Sequence, residues 1–274
     1  MAAAVEVEDL YFYYTRGEYV LRGVTFTVEL GESVAIMGSN GAGKTTLVKH
    51  LNGLLKPVRG VVRVLGMDTR EHSVAELARH VGVVFQNPDH QLFAETVEEE
   101  VRFALENFGF PEDEIGERVE WALAEFGLER YRKASPFSLS EGEKKRLAIA
   151  SVVVYEPDVL VLDEPTVGQD AIQRERIAEM LREFMRRGRT VIVVSHDVEF
   201  VAELFDRVIV MSRGRVVADG SARSVLTDLT VLSEARLALP QVAECAQRLS
   251  DLGVPRDLVR LRELEERLLR VVGV

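Results

Sequence analysis

Four short β-branched runs, Ser33–Met37, Val81–Phe85, Val159–Leu162 and Thr190–Val194, are apolar at consecutive rather than alternate positions. A strand with one wet face alternates in polarity, so a strand apolar on both faces is covered on both sides, as in the middle of a parallel sheet. The stretches between these runs carry helical spacing. In Ala171–Arg187, for example, Ile177, Leu181 and Phe184 share a face and Gly188 supplies the stop. The class is therefore α/β, with a mainly parallel sheet as its core.

At roughly 150 residues per domain, 274 residues suit one large domain with an appendage. The expected boundary separates 1–220 from a small helical C-terminal domain, 221–274. Before the core, Val5–Tyr14, Val20–Leu30 and Val61–Leu65 read as an antiparallel edge subdomain. Thr96–Phe108 and Pro111–Phe126 read as the two helices of an insert spanning about 94–140, the first opened by a Thr96/Glu99 capping box. Past residue 220, Pro240 opens a helix over Gln241–Leu252, Gly253 closes it, and an amphipathic helix is expected from Asp257 to Arg270.

The longest core runs hold about four or five apolar residues, against the roughly 20 that a membrane span needs. The start, Met-Ala-Ala-Ala-Val-Glu, lacks a basic stretch followed by an apolar one, so no signal peptide is expected. A single cysteine, Cys245, agrees with a reducing compartment. Lys and Arg number 34 against 45 Asp and Glu, a net charge of −11, which repels nucleic acid and anionic lipid at long range. Membrane attachment is then expected to run through a protein partner, with no nucleic-acid partner.

The chemistry gathers where the apolar runs end. Gly38-Ser-Asn-Gly-Ala-Gly-Lys-Thr45 fits G-x-x-x-x-G-K-[ST] between a strand and a helix starting near Thr46. Gly38, Ser39, Asn40, Gly41, Ala42, Gly43, Lys44, Thr45 and Thr46 would wrap successive N–H groups around phosphate oxygens. Lys44 reaches the β/γ-phosphates and the Thr45 hydroxyl is offered to Mg²⁺. The motif alone admits GTP as well as ATP, but the Asn-Lys-x-Asp guanine reader is missing. Asp163-Glu164 follows another buried strand, where ligands of open α/β sheets bind. Asp163 is placed to hold Mg²⁺ through water and Glu164 to polarise the attacking water. His196 ends the next run and is expected to contact the γ-phosphate or that water. Gln86 ends Val81–Phe85, where its amide oxygen can complete a Mg²⁺ shell. Ser140-Glu-Gly-Glu143 reads as a capping box and, compatibly, as an anion site built from the Ser140 hydroxyl and the Gly142 amide. Glu141 and Glu143 would repel a phosphate there unless they point away.

Taken in this order, the motifs resemble those of the ATP-binding cassette ATPases across residues 5 to about 220: Walker A at Gly38–Thr45, Gln86 of the Q-loop, the signature Leu139–Glu143, Walker B with Glu164, an Asp170 loop and His196. The resemblance implies a P-loop NTPase core and head-to-tail pairing with a second cassette. Each ATP would then lie between one Walker A and the other's Ser140, Gly142 and Asp170, with Tyr14 stacked on adenine. Two departures stand out: Glu141 and Glu143 replace the usual Gly and Gln, and Gln169 stands where leucine is common.

More narrowly, Val83-Val-Phe-Gln-Asn-Pro-Asp-His-Gln-Leu-Phe93 and Leu239-Pro-Gln-Val-Ala resemble the energy-coupling-factor ATPases of cobalt, nickel and vitamin importers. That likeness implies an integral membrane subunit docked near the Q-loop and the helical insert, and a separate membrane substrate-binding subunit. It also implies a peripheral seat on the cytoplasmic face of the cell membrane and a C-terminal appendage that assists dimerisation. Leu261, Leu264 and Leu268 can serve that contact or pack on their own domain. The competing reading is a soluble cassette ATPase acting on nucleic acid or ribosomes, which normally needs a long coiled coil, a second cassette or a basic surface. A P-loop kinase is a third, and it would leave Ser140–Glu143 without purpose.

Overall fold

The computed structural model describes residues 2–272. Its elements run β1 (Ala3–Tyr13), β2 (Tyr19–Glu29), β3 (Ser33–Met37), α1 (Lys44–Leu51), β4 (Arg59–Val64), β5 (Met67–Asp68), α2 (Val74–Ala78) and β6 (Val81–Val84). They continue with α3 (Val97–Phe108), α4 (Glu112–Glu125), α5 (Glu141–Val153), β7 (Val159–Asp163), α6 (Ala171–Arg186), β8 (Thr190–Ser195), α7 (Val198–Leu204), β9 (Arg207–Ser212) and β10 (Arg215–Ser221). The tail holds α8 (Ala222–Val225), α9 (Leu229–Ala235), α10 (Gln241–Arg248) and α11 (Leu261–Val272).

Two sheets form. The central one has the order β10-β9-β3-β8-β7-β6, with every pairing parallel except the β9–β10 hairpin, and the other is antiparallel, β2-β1-β4-β5. The doubly apolar runs are explained by two cores on opposite faces of the central sheet. In β3, Val34 and Ile36 enter the core shared with α1 and the antiparallel sheet, while Ala35 and Met37 enter the core beneath α3, α5 and α6. A polar residue at either set would be stranded away from water.

The central sheet is wider than the four runs suggest. Val208–Met211 is as fully buried as the other strands, and Gly214 at φ +78° turns the chain back into β10. The last helix starts at Leu261, not Asp257, because Leu258 and Val259 are buried and Arg260 is turned onto the body. The Arg260 guanidinium donates to the carbonyls of Ala202 and Phe205 at the end of α7 and pairs with Asp206 at 2.6 Å. Of the tail leucines, Leu264 is buried and Leu268 half-buried against Ala246, Val254 and Leu258, packing on their own domain, while Leu261 is 64% exposed.

Because β3, β6, β7 and β8 are parallel, their carboxyl ends meet on one edge of the sheet, which sets the position of the site.

Candidate nucleotide site

The turn after β3 is shaped by glycine. Gly38 has φ +147°, and a Cβ there would lie 2.2 Å from the Met211 carbonyl oxygen; at Gly43, φ +102°, it would lie 2.8 Å from Leu21 Cδ2. At Gly38 a backbone oxygen blocks any side chain, and at both positions the positive φ is one that L residues rarely adopt, so the inward curl favours glycine. α1 then starts at Lys44, with no acidic residue in its first turn to compete for an anion.

That turn walls a cavity of about 410 Å³ lined by Asn40, Gly41, Gly43, Lys44, Thr45 and Thr46, together with Gln86, Asp163 and Glu164 from the neighbouring strand ends. Val20, on β2, lines it as well, an apolar contribution that no motif signals. Lys44 is 7% exposed, and its Nζ donates to the carbonyls of Gly38 at 2.7 Å and Ser39 at 3.2 Å. Burial pulls its ammonium below the ordinary lysine range, opposed by the charges of Glu164 and Asp163. Ala42 is buried in the turn. Tyr14 stands beside the turn, 59% exposed, with its hydroxyl 3.3 Å from Thr46 Oγ1.

Asp163 is fully buried. Its Oδ2 accepts from Thr45 Oγ1 at 2.6 Å, and its Oδ1 has no partner. Burial raises its carboxyl above the usual range, chiefly through desolvation, with the Thr45 bond opposing. A buried carboxylate oxygen without a partner, beside a hydroxyl and with an amide lining the same cavity, suits a hard cation that keeps several waters. Glu164 adopts φ +50°, uncommon outside glycine. Its carboxylate is held at both oxygens. Oε2 accepts from Ser195 Oγ and the His196 N–H at 3.3 Å each, while Oε1 sits 2.9 Å from His196 Nδ1 and 3.8 Å from Lys44 Nζ.

Ser140, Gly142 and Asp170 do not line this cavity. Ser140 and Asp170 cap α5 and α6, and the two loops are neighbours: a Cβ on Gly142 would meet the Gln169 amide at 3.7 Å. Glu143 does not point away from Ser140. It accepts from the Ser140 N–H at 2.9 Å and the Ser140 hydroxyl at 2.7 Å, and also from the Tyr131 hydroxyl. Those bonds hold its carboxyl at about 2.

Lys145 is the residue that motif reading passes over. It is 3% exposed on α5, and its ammonium faces the backbone at the ends of β6 and β7. The signal lay in its spacing, four residues before the buried Ile149 and three before the buried Ala148, on the apolar face of the helix.

A phosphate-cradling turn, a buried aspartate beside a threonine hydroxyl and a glutamate gripped by a histidine, all on the carboxyl edge of a parallel sheet, define a P-loop nucleoside triphosphatase. The family model that describes ABC transporters matches residues 21–167. The chain belongs to the ABC transporter family, as an ATPase whose hydrolysis of ATP is coupled to transport. It is 42% identical over 272 residues to the energy-coupling factor transporter ATP-binding protein EcfA of Methanothermobacter thermautotrophicus, covering 98% of this chain and 88% of that one. Among solved structures it is similar to cbiO1 of Clostridium perfringens, described as part of the ABC transporter complex cbiONQ, with 36% identity, TM-score 0.74 and coverage of 92% of this chain and 98% of that one. It is also similar to a dimeric ATP-binding cassette in a post-hydrolysis state bound to ADP and Pi, with 29% identity, TM-score 0.73 and coverage of 80% and 98%.

Proposed function

We propose that the chain is the ATP-hydrolysing subunit of an energy-coupling-factor importer, working at the cytoplasmic face of the cell membrane. It would pair with a second cassette, like or unlike itself, and seat on an integral membrane subunit, with a separate membrane protein binding the cargo. The cargo would be a metal ion such as cobalt or nickel, or a vitamin.

The observation that carries this reading is an apolar groove of about 600 Å³ beside the Gln86 loop, walled by Ala78, Phe93, Phe103, Ala104, Phe108 and Tyr155. Phe93 and Phe103 stack edge to face at 4.6 Å and are 57% and 46% exposed. Hydrogen bonds link the groove to the nucleotide cavity: Gln91, on the groove, donates to the Ala148 carbonyl of α5 and accepts from the Phe85 N–H, next to Gln86, which lines the cavity. A short helix of the membrane subunit seated there would press on the segment that carries Gln86. Among the described residues no helix is long and apolar enough to cross a membrane; in this reading the transport path lies in such a partner.

In this reading the N–H groups of Asn40–Thr46 hold the triphosphate and Tyr14 stacks on adenine. Lys44 exchanges the Gly38 and Ser39 carbonyls for β/γ-phosphate oxygens. Thr45, Asp163 and Gln86 would hold Mg²⁺, which when bound neutralises charge on the β- and γ-phosphates. Glu164, oriented by His196, takes the proton of a water as that water's oxygen bonds the γ-phosphorus. The bond from phosphorus to the β,γ-bridging oxygen breaks, and ADP departs with its electron pair. Ser140, Gly142 and Asp170 act on the nucleotide of the paired cassette.

A photo-cross-linker placed at Phe103 tests the reading in native membranes. Capture of an integral membrane polypeptide whose loss also abolishes the stimulated ATPase of this chain supports it. Capture of nucleic acid or ribosomal protein overturns it in favour of a non-transport role.

A further inference from the structure

The nucleotide chemistry makes no use of Lys145, yet taking an ammonium out of water is costly unless its N–H groups are matched. Here they are. Lys145 Nζ donates to the carbonyl oxygens of Phe85 at 3.0 Å, Gln86 at 3.1 Å and Asp163 at 3.2 Å. All three acceptors are backbone groups, so what the lysine fixes is the path of the chain. One pair of carbonyls leads out of β6 to Gln86, and the third closes β7 at the residue bearing the partnerless carboxylate oxygen. The lysine itself stands on α5, a turn and a half beyond Ser140.

Neighbouring contacts make the tie broader. Lys144 Nζ donates to Asp89 Oδ1 at 2.8 Å, and the Gln91 amide bridges the Ala148 carbonyl at 2.9 Å and the Phe85 N–H at 3.2 Å. Residues 85–91 are thus stitched to α5 from both ends. Lys145 alone among these contacts continues to β7, joining the loop, the helix and the Asp163 backbone through one atom.

We infer that Lys145 is a positioning residue for ATP hydrolysis: its three N–H donors lock the backbone of Gln86 and Asp163 to α5, so that a displacement at the Phe93–Phe103 groove reaches the Mg²⁺-facing side chains. The second half rests on the reading of the groove given above. The first half stands on the geometry alone. A side chain without donors in this place leaves three carbonyls facing a gap, and the loop and strand end then drift independently.

Lys145→Met removes every donor, Lys145→Gln keeps two N–H groups without the charge, and Lys133→Ala, on a side chain 78% exposed, serves as the surface control. Hydrogen exchange on the nucleotide-free full chain is read first. Lys145→Met should speed exchange of the Gln86–Gln91 and Glu164 amides by about tenfold or more, a local opening cheaper by one factor of ten in population, with Lys133→Ala unchanged. With ATP, kcat should fall by about 10–100-fold, the scale of a sub-ångström to ångström misplacement, while KM for ATP stays nearly constant and the Mg²⁺ concentration for half-maximal turnover rises. A purely structural lysine would lower the melting temperature without splitting kcat from KM or moving the Mg²⁺ requirement. Should Lys145→Met not fold, Lys145→Gln gives the same readouts at intermediate size. Wild-type exchange in a folded Lys145→Met chain, or equal losses in kcat and KM, overturns the proposal. If the wild-type chain itself turns over no ATP, the proposed function fails while the exchange result still judges Lys145.

Discussion

His196 Nδ1 lies 2.9 Å from Glu164 Oε1, while the backbone N–H of the same histidine meets Glu164 Oε2 at 3.3 Å. One residue thus grips both oxygens of its neighbour's carboxylate, and Ser195 adds a third contact. The end of β8 is built to fix a carboxylate on the end of β7. A positioned base is worth about 10²–10⁴ in rate. Glu164→Gln should therefore lower kcat by about that factor while leaving ATP affinity nearly unchanged, measured by single-turnover hydrolysis and by equilibrium nucleotide binding. Normal turnover would put the base elsewhere. His196→Ala should slow turnover more than it weakens binding, and equal losses in both would leave the histidine with no role in orienting the base.

Lys44 Nζ donates to the Gly38 and Ser39 carbonyls. In the proposed site those bonds are exchanged on nucleotide binding for charge-assisted ones, which contribute about 1.5–3 kcal/mol, roughly 10- to 150-fold in affinity. Lys44→Ala should weaken ATP binding by that factor in a titration at fixed Mg²⁺. An unchanged Kd would remove the lysine from the phosphate site.

Not all the glycines of this turn are equal. Gly38→Ala drives a Cβ to 2.2 Å from the Met211 carbonyl, a backbone atom that cannot move aside without breaking β9, whereas Gly41 at φ +80° faces open space. Gly41→Ala should cost about 1–2 kcal/mol, the penalty of a left-handed L-residue, and Gly38→Ala distinctly more. Urea denaturation of the two variants checks the order, and equal midpoints would contradict it.

Much of this site was legible in the sequence because each motif is local and sits immediately after a strand. Gly38–Thr45, Gln86, Asp163-Glu164 and His196 declare themselves one strand end at a time, and the parallel pairing of β3, β6, β7 and β8 brings them to one edge. Lys145 was not legible as part of the site. Its acceptors are main-chain carbonyls 60, 59 and 18 residues away, and a carbonyl has no residue identity to find. The opening of the last helix failed for a similar reason. Asp257–Arg260 has helical composition, but the tertiary hold of Arg260 on the end of α7 outweighs that propensity. Strand β9 carries the signal of the other core strands, since Val208–Met211 is apolar on both faces, and it widens the sheet beyond the four runs.

Glu143 carries a prediction for pH. Bonds from the Tyr131 hydroxyl, the Ser140 hydroxyl and the Ser140 N–H, in that order, hold its carboxyl at about 2, well below the ordinary glutamate range. A carboxyl whose folded value is depressed stabilises the fold above its unfolded value and loses that contribution as pH falls toward the folded one. Glu143→Gln should therefore melt lower than wild type at neutral pH. The gap should close as pH falls from about 4.5 toward about 2, the span between the ordinary glutamate value and the folded one. A gap independent of pH would mean that the Tyr131 and Ser140 bonds do not discriminate the charged form.

Lys145 carries a second pH prediction, of the same sign, at the alkaline end. Desolvation brings its ammonium down to about 8, with Asp163 and Glu164 opposing. Between about 8 and the ordinary lysine value of 10.5 the unfolded chain then binds a proton that the folded chain has released. Stability rises with pH wherever the unfolded state holds more protons. The nucleotide-free wild-type chain should therefore gain stability relative to Lys145→Met as pH climbs through this window. The gain levels off above it, because both states of the wild-type lysine are then neutral. Parallel melting curves for the two chains from pH 7.5 to 10.5 would mean that the buried ammonium keeps its proton throughout, with the three carbonyls compensating its lost water in full.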